Sequence, residues 1–584
     1  MTRRSAPPPG QAPMPAANAA ALLRRNASDP TIRERPAVKF GDQVWTHGEY
    51  VDESARWAQL FLARAPVDRP LHVGVLLDNT PDYLFALGVA ALAGAAIVGL
   101  NHTRRDDHLL RDMTHTHVGL IVTEPRHEAL LEPIAHRLPT DPDNLLVSTR
   151  FVDGDDPVAT IGKPLDEALA AVAADDPGLE PEPDTLWGLI FTSGTSDAPK
   201  AVVCTQRRFM VTGNRMGMVM DLGADDVGYV CMPLFHSNAL MVGWAPSIVY
   251  GASVGLGRRF SASRWLPDVR RYGSTYFNYT GKPLAYLLAT PERPDDADNP
   301  LRVAFGNEGS PEVVEAFSRR FAVEVIDAYG ATEGGVAVDR DAEERAGALG
   351  KVAPAVKVVD DDGHEKPRAR FDGEGRLFNA EECVGEIVNT AGAGPFEGYY
   401  NNPDANERTL RFGWYWTGDL GYLDDDRYLY FAGRNADWLR VDGENFPTGP
   451  IESALAQHPD VVLASVYGVP DDQAGDQVMA GLVLRTGAEF DPRAFAAWLD
   501  ARDDVGPKWR PRYVRILGDP PTTGTNKIVK RSLVHQKWRG DRVGGDHVYV
   551  RERGDTVYRP FTGDDERALH DSFRRYQRER FWDL

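Results

Sequence analysis

Residues Ile190–Lys200 read IFTSGTSDAPK. The stretch follows an apolar run, Leu186–Phe191, and gathers Thr192, Ser193, Gly194, Thr195 and Ser196 before closing on Lys200. A buried strand that opens into hydroxyls, backbone N–H groups and a glycine offers many donors. It carries no negative charge before Asp197, which suits a phosphate cradle. The pattern GxxxxGK[ST] is absent, so this is not a Walker loop. A flexible Ser/Thr/Gly turn has the same composition. Composition leaves the two readings level, and the rest of the chain has to separate them.

On either side, short apolar strands alternate with helical patterns. His72–Leu77 (HVGVLL) reads as a strand, followed by a helix from Pro81. Gly119–Thr123 (GLIVT) reads as a strand before a helix from Glu128, and Val323–Ile326 as a strand after a helix over Pro311–Arg319. This alternation predicts an α/β fold with helices covering the sheets. Tyr83–Leu100 is uncharged and long enough to invite a membrane-spanning reading. Gly94 splits it, so it reads better as a buried helix opening near Asp82 and a short strand, Ala95–Leu100.

After Phe431 the texture changes. Gly433–Asn445 is polar and turn-rich. A helix over Pro450–Gln457, strands over Val461–Val469 and Met479–Leu484, and a helix over Asp491–Ala501 follow, which predicts a compact α+β unit. The domain reading is a disordered tail over residues 1–21, a large α/β body over 22–433 and a small α+β lid over 434–584. The tail is rich in Ala and Pro, and Pro7, Pro8 and Pro9 follow its arginines where a secretory signal needs an apolar core.

The chain has 584 residues and a net charge of −21. With 42% hydrophobic and 26% charged residues it has a globular composition. Its acidic field disfavours nucleic acid and anionic membranes as partners. Cys204, Cys231 and Cys383 are widely spaced, without CxxC, so neither a disulfide framework nor a cysteine zinc site is expected, and a reducing cytoplasm is the simplest setting. Gly251–Gly255 (GASVG) matches the nucleophile-elbow pattern, but helix precedes it and strand follows, the reverse of what that elbow needs.

Three further stretches carry chemistry. Tyr329–Glu333 (YGATE) follows a strand, where Glu333 suits a magnesium ion bridging phosphates. Trp416–Asp419 (WTGD) offers a carboxylate able to accept from two ribose hydroxyls. Thr522–Lys530 (TTGTNKIVK) places Lys527 on a polar turn. Each alone is an ordinary surface group.

In this order, IFTSGTSDAPK, PLFH (Pro233–His236), YGATE, WTGD, GRNADWLRVDGEN and TGTNK resemble the motifs of the adenylate-forming enzymes. That superfamily comprises acyl-CoA synthetases, firefly luciferase and adenylation domains. Within it, FNYTGKPLAYLLATP (Phe277–Pro291), FGN (Phe305–Asn307), GENF (Gly443–Phe446) and DHVYVRERGDTVYRPF (Asp546–Phe561) are similar to the fatty acid transport protein and very-long-chain acyl-CoA synthetase branch.

The resemblance implies an AMP-forming acid–thiol ligase that uses ATP, Mg²⁺ and CoA in two steps. A fatty carboxylate attacks the α-phosphate of ATP, giving acyl-adenylate and releasing pyrophosphate; then a mobile lid rotates and the CoA thiol attacks the acyl-adenylate, giving the thioester and releasing AMP. It implies that Thr192, Ser193, Gly194, Thr195, Ser196 and Lys200 form the phosphate loop. Thr332 and Glu333 meet the phosphates and the metal, Tyr329 flanks the adenine, and Gly330 is among the nucleotide-binding residues. Asp419 holds the ribose with Arg434. Lys527 bridges the acyl carboxylate and the α-phosphate. His236 lies near the carboxylate end of the acyl pocket, and Gly443 lines the pantetheine channel. Catalytic roles fall to Lys527, Glu333, Thr192 and His236, and the metal to Glu333. His236, Gly443 and Tyr329 could equally be core or turn residues on their chemistry alone. The chain departs from the superfamily pattern at Asp197, where glycine is usual, at Ala436 on the hinge and at Asn526 before Lys527. The expected substrate is a long- or very-long-chain fatty acid. A steroid side-chain or other bulky carboxylate, or a fatty-acid uptake protein with weak activity and peripheral membrane contact, are the alternatives.

Overall fold

The computed structural model describes residues 7 and 10–583, apart from 153, 155–160, 193–198, 281–282, 308, 310, 339–344, 346, 373–376, 435–437, 442–443, 474, 503–504 and 523–527. Two seven-stranded sheets form the body. In one, Glu324–Asp327, Val303–Asn307, Tyr276–Thr280, Val227–Val230, Ser253–Leu256 and Pro36–Phe40 run parallel, and Gln43–Thr46 closes the edge as a hairpin. In the other, Lys163–Pro164, Leu145–Val147, Leu120–Thr123, His72–Leu76, Ala96–Gly99 and Leu186–Phe191 are parallel, and Ala201–Thr205 pairs antiparallel with Leu186–Phe191 at the edge.

The helix Pro81–Ala93 lies in the core with every side chain but the last buried, which explains why its sequence is apolar on all faces. Ala96–Gly99 follows as a central strand. The uncharged stretch is therefore interior, and among the described residues no helix is long and apolar enough to cross a membrane. Gly88 permits this packing, because a Cβ there would sit 2.2 Å from Ser54 Oγ on the neighbouring helix His47–Ala63.

A six-stranded antiparallel sheet completes the body, with Trp414–Leu423 between Tyr428–Arg434 and Gly385–Asn389. Beyond it, Val461–Pro470, Asp476–Leu484, Tyr513–Ile516, His547–Val550 and Arg559–Pro560 make a five-stranded sheet with its own core around Ile451, Phe495 and Val514.

The N-terminal segment differs from expectation. A helix, Ala19–Ser28, begins inside the expected tail, capped by the Asn18 side chain. Upstream, Ala12 is buried, the Pro13 carbonyl accepts from Asn214 Nδ2 at 2.8 Å, and the Pro7 carbonyl accepts from Arg215 Nε at 3.0 Å. The segment is held through its carbonyls by one long helix, Gln206–Met220. Prolines accept as well as any residue, and low hydrophobicity hides such docking from a composition reading.

Candidate active site

The phosphate-loop candidate spans the turn between Leu186–Phe191 and Ala201–Thr205. Its mouth is closed by the Thr192 N–H on the Lys200 carbonyl at 3.1 Å. The Pro199 carbonyl accepts from Asn402 Nδ2 at 3.0 Å, which ties the far end to the helix Pro403–Thr409. Ser193, Gly194, Thr195, Ser196 and Asp197 lie outside the described residues.

Glu333 stands in a turn within the hairpin of Tyr329–Gly330 and Ala337–Val338. That turn is fixed from beneath by Arg208, which is 8% exposed. Its guanidinium donates to the carbonyls of Thr332, of Glu333 at 3.0 Å and of Val203 at 2.8 Å. The Thr205 hydroxyl caps the Arg208 helix, and Glu397 takes the Thr205 hydroxyl and N–H. The Thr332 hydroxyl lies 2.8 Å from that of Ser237. The Glu333 carboxylate accepts from the Tyr399 hydroxyl at 2.8 Å. Burial, and then the Glu333 charge, push the Tyr399 phenol far above its ordinary range, so it remains a donor. Lys200 Nζ sits over the Tyr399 ring, 5.4 Å from its centroid. Gly335 leaves room for Tyr415, whose ring would meet a Cβ there at 2.3 Å.

Asp419 lies inside the long strand Trp414–Leu423 and is 8% exposed. It pairs in register with Arg434, whose side chain is outside the described residues. The Tyr329 hydroxyl donates to Asp419 at 2.7 Å. Burial raises the Tyr329 phenol well above its ordinary value, and the Asp419 charge adds to this. Tyr329 is thus half-buried and bonded to the candidate ribose carboxylate. Gly330 is exposed beside Asn307, whose Nδ2 reaches its carbonyl at 3.4 Å.

His236 closes the turn of Pro233–His236, its N–H on the Pro233 carbonyl at 3.0 Å, and its ring packs 4.5 Å from that of Phe235. A π-helical turn, Asn238–Trp244, starts two residues later. Such turns mark functional sites more often than plain helix does. Asn238 holds it to the parallel sheet by donating to the Tyr279 carbonyl at 2.9 Å and accepting from Asn278 at 2.7 Å. Gly443 and Lys527 lie outside the described residues, as do Ala436 and Asn526.

Lys200, Thr332 and Glu333 are thus linked through Arg208, Ser237 and Tyr399, with Thr192 bonded to the Lys200 backbone and Tyr329, bonded to Asp419, on the hairpin that carries Glu333. Arg208, Ser237 and Tyr399 were not picked out in the sequence. Arg207 and Arg208 are adjacent, yet Arg207 pairs with Asp184 at the surface while Arg208 turns inward. Only the helical face separates them. The donors around Glu333 are hydroxyls and a carboxylate, all hard oxygen, which fits a magnesium ion that takes one or two carboxylates and phosphate oxygens.

A second acidic group, Asp78, Glu124 and His127, could hold a cation by spacing. Its charge is already met, by Arg126 on Asp78 at 2.7 Å and Arg258 on Glu124 at 2.9 Å. With His127 and Arg126 beside it, the Asp78 carboxyl stays far below its ordinary range despite burial.

The model of the AMP-binding enzyme family matches residues 23–400, and that of the AMP-binding enzyme C-terminal domain matches residues 450–527. The chain belongs to the AMP-binding enzyme family. It is 46% identical over 554 residues to a steroid-22-oyl-CoA synthetase of Rhodococcus jostii, covering 94% of this chain and 96% of that protein. It is 44% identical over 500 residues to the medium/long-chain-fatty-acid–CoA ligase FadD17 of Mycobacterium tuberculosis, covering 85% and 92%. The anthranilate–CoA ligase AuaEII with bound anthranoyl-AMP shares the fold at TM-score 0.76 and 21% identity, over 88% of this chain and 96% of that one. The o-succinylbenzoate–CoA synthetase of Bacillus subtilis with its acyl-adenylate superposes at TM-score 0.69 and 26% identity, over 88% and 97%. This family member is an AMP-forming acid–thiol ligase, with ATP, Mg²⁺ and CoA as the reagents of its reaction.

Proposed function

We propose that this ligase activates a long hydrophobic carboxylic acid as its acyl-adenylate and transfers the acyl group to CoA. The observation that carries the reading is the convergence of Lys200, Thr332, Glu333 and the Tyr329–Asp419 pair at the mouth of the loop after Leu186–Phe191. The groups there supply a cation and a hydroxyl for phosphate, an aromatic ring for adenine and a buried carboxylate for ribose.

In the first step, Thr192, Lys200 and the loop hydroxyls hold the phosphates of ATP. Tyr329 flanks the base, Gly330 is among the nucleotide-binding residues, and Asp419 accepts from the ribose hydroxyls with Arg434 beside it. Glu333 would hold the Mg²⁺ ion, which when bound neutralises phosphate charge. Lys527 carries the positive charge that brings the acyl carboxylate to the α-phosphate, with His236 bordering the acid. The chain's contribution is mostly positioning and charge complementarity. In the second step the lid turns, Lys527 leaves and Gly443 lines the path of the thiol.

For the acid, the fatty-acyl reading stands beside a steroid side-chain reading. The second is favoured by the 46% identity, over almost the whole chain, to the steroid-22-oyl-CoA synthetase. AMP release with ATP, Mg²⁺, CoA and either a fatty acid series or a steroid C22 acid decides between them. No AMP with any of these acids would refute both. Peripheral contact with a lipid surface belongs to the same reading. It is supported by Phe412, 65% exposed between Leu410–Arg411 and Trp414–Leu423. Failure to co-sediment with phosphatidylcholine vesicles would remove it. We assign the enzyme to a reducing cytoplasm, in keeping with three buried free thiols.

A further inference from the structure

Tyr399 touches both halves of the phosphate-facing surface. Its backbone lies against the strand leaving the phosphate loop, in an antiparallel bridge to Val202 with the Tyr400 N–H on the Ala201 carbonyl at 2.8 Å. Asn406 clamps that backbone from the other side, accepting from the Tyr399 N–H at 2.7 Å and donating to its carbonyl at 3.0 Å. Phe396 packs edge-on to its ring at 4.9 Å, and the side chain is 6% exposed. Its backbone is held on two sides and its ring packs against Phe396, which sets the orientation of the side chain. In that orientation its hydroxyl meets Glu333 at 2.8 Å and its face meets Lys200 at 5.4 Å.

We propose that Tyr399 is a positioning residue that sets the Glu333 carboxylate for its cation and keeps it in register with Lys200 on the phosphate loop. The inference rests on the reading of Glu333 as the carboxylate that holds the metal. A carboxylate has about four lone-pair sites, so one phenolic donor fixes its plane and leaves the remainder for a cation. Groups that hold a metal ligand in this way govern affinity although they never touch the ion, typically by ~10–100-fold. Among the contacts described, the Tyr399 hydroxyl is the side-chain donor to Glu333, whereas Arg208 holds only the backbone of that turn.

The test is the full chain carrying Tyr399→Phe, which keeps the ring, the bridge to Val202 and the contact with Lys200. Manganese(II) is titrated in the presence of α,β-methylene-ATP, with the free ion followed by paramagnetic resonance. Glu333→Gln is measured in parallel. The expected result is a manganese affinity about 10-fold weaker in Tyr399→Phe, with an unchanged thermal midpoint and an unchanged KM for the carboxylic acid. Loss of affinity in Glu333→Gln but not in Tyr399→Phe would overturn the positioning role and leave Glu333 in place. Unchanged affinity in both variants would overturn the reading of Glu333 and the inference with it. A Tyr399→Phe enzyme that also loses thermal stability and acid binding to the same degree would show a merely structural tyrosine.

Discussion

The Tyr329 hydroxyl donates to the Asp419 carboxylate across 2.7 Å, joining the hairpin that carries Glu333 to a strand of the antiparallel sheet. The bond ties a buried negative charge to the tyrosine four residues before the candidate metal carboxylate. An ionised carboxylate accepts only, and the role read for Asp419 is to take two vicinal hydroxyls. Asp419→Asn keeps an acceptor for Tyr329 and removes the charge. Hydrogen bonds to charged groups contribute about 1.5–3 kcal/mol, so the KM for ATP should rise at least about 10-fold. The KM for the carboxylic acid should stay within about twofold of the parent. Equal changes in both constants would show that Asp419 supports the body rather than the nucleotide.

Arg208 holds three carbonyls from within the protein, those of Val203, Thr332 and Glu333. Arg208→Ala leaves these acceptors buried and unpaired, at about 1–3 kcal/mol for each one that water cannot reach. The thermal midpoint should fall, and ATP–pyrophosphate exchange should fall with it. Arg208→Lys restores the charge but not the planar fork. It should recover much of the midpoint while exchange remains at least several-fold low, because the turn that aims Glu333 is held in fewer directions. Full recovery of exchange by lysine would show that charge alone suffices.

The elements of the body were legible because apolar runs and turn residues punctuate them cleanly. His72–Leu76, Pro81–Ala93, Leu120–Thr123 and Pro311–Phe321 fall where periodicity put them. The docked N-terminal segment was not legible, since it is bound by carbonyls of Pro7 and Pro13 that any sequence possesses. In the site, Glu333 and Asp419 stood out as parts of ordered motifs. Tyr399 did not, because a tyrosine in GYYNN reads as core until its hydroxyl is seen on a carboxylate. Ser237 follows the PLFH stretch directly, and only its 2.8 Å approach to Thr332 gives it meaning.

Lys527→Ala separates the two half-reactions. The lysine is read as bridging carboxylate and α-phosphate during adenylation and as leaving when the lid turns. Adenylate formation, measured by ATP–pyrophosphate exchange, should fall by at least about 100-fold, the scale on which one preorganised charge acts on a transition state. Thioester formation from supplied acyl-adenylate and CoA should stay within a few-fold of the parent. Equal loss in both assays would contradict the division of roles.

Asp82 ties stability to pH. It sits at the start of the buried helix Pro81–Ala93 and is 1% exposed. Its carboxylate accepts from Ser148, and Arg150 Nη1 lies 3.2 Å away. Burial outweighs these partners and pushes the carboxyl up to about 7, from an ordinary 3.8. A carboxyl raised on folding keeps a proton that the unfolded chain has released, over the window between those two values. The folded state then binds more protons, so stability falls as pH rises from about 4 to about 7 and levels off above. Asp112 is raised in the same direction, to about 6, so the slope of the parent alone does not isolate Asp82. The difference between parent and Asp82→Asn does, because asparagine is neutral throughout. The variant should gain on the parent by on the order of 2–4 kcal/mol between pH 5 and pH 8, read from thermal midpoints in matched buffers. Midpoint curves that run parallel over that range would mean that Asp82 is ionised in the folded protein, with Arg150 overcoming its burial.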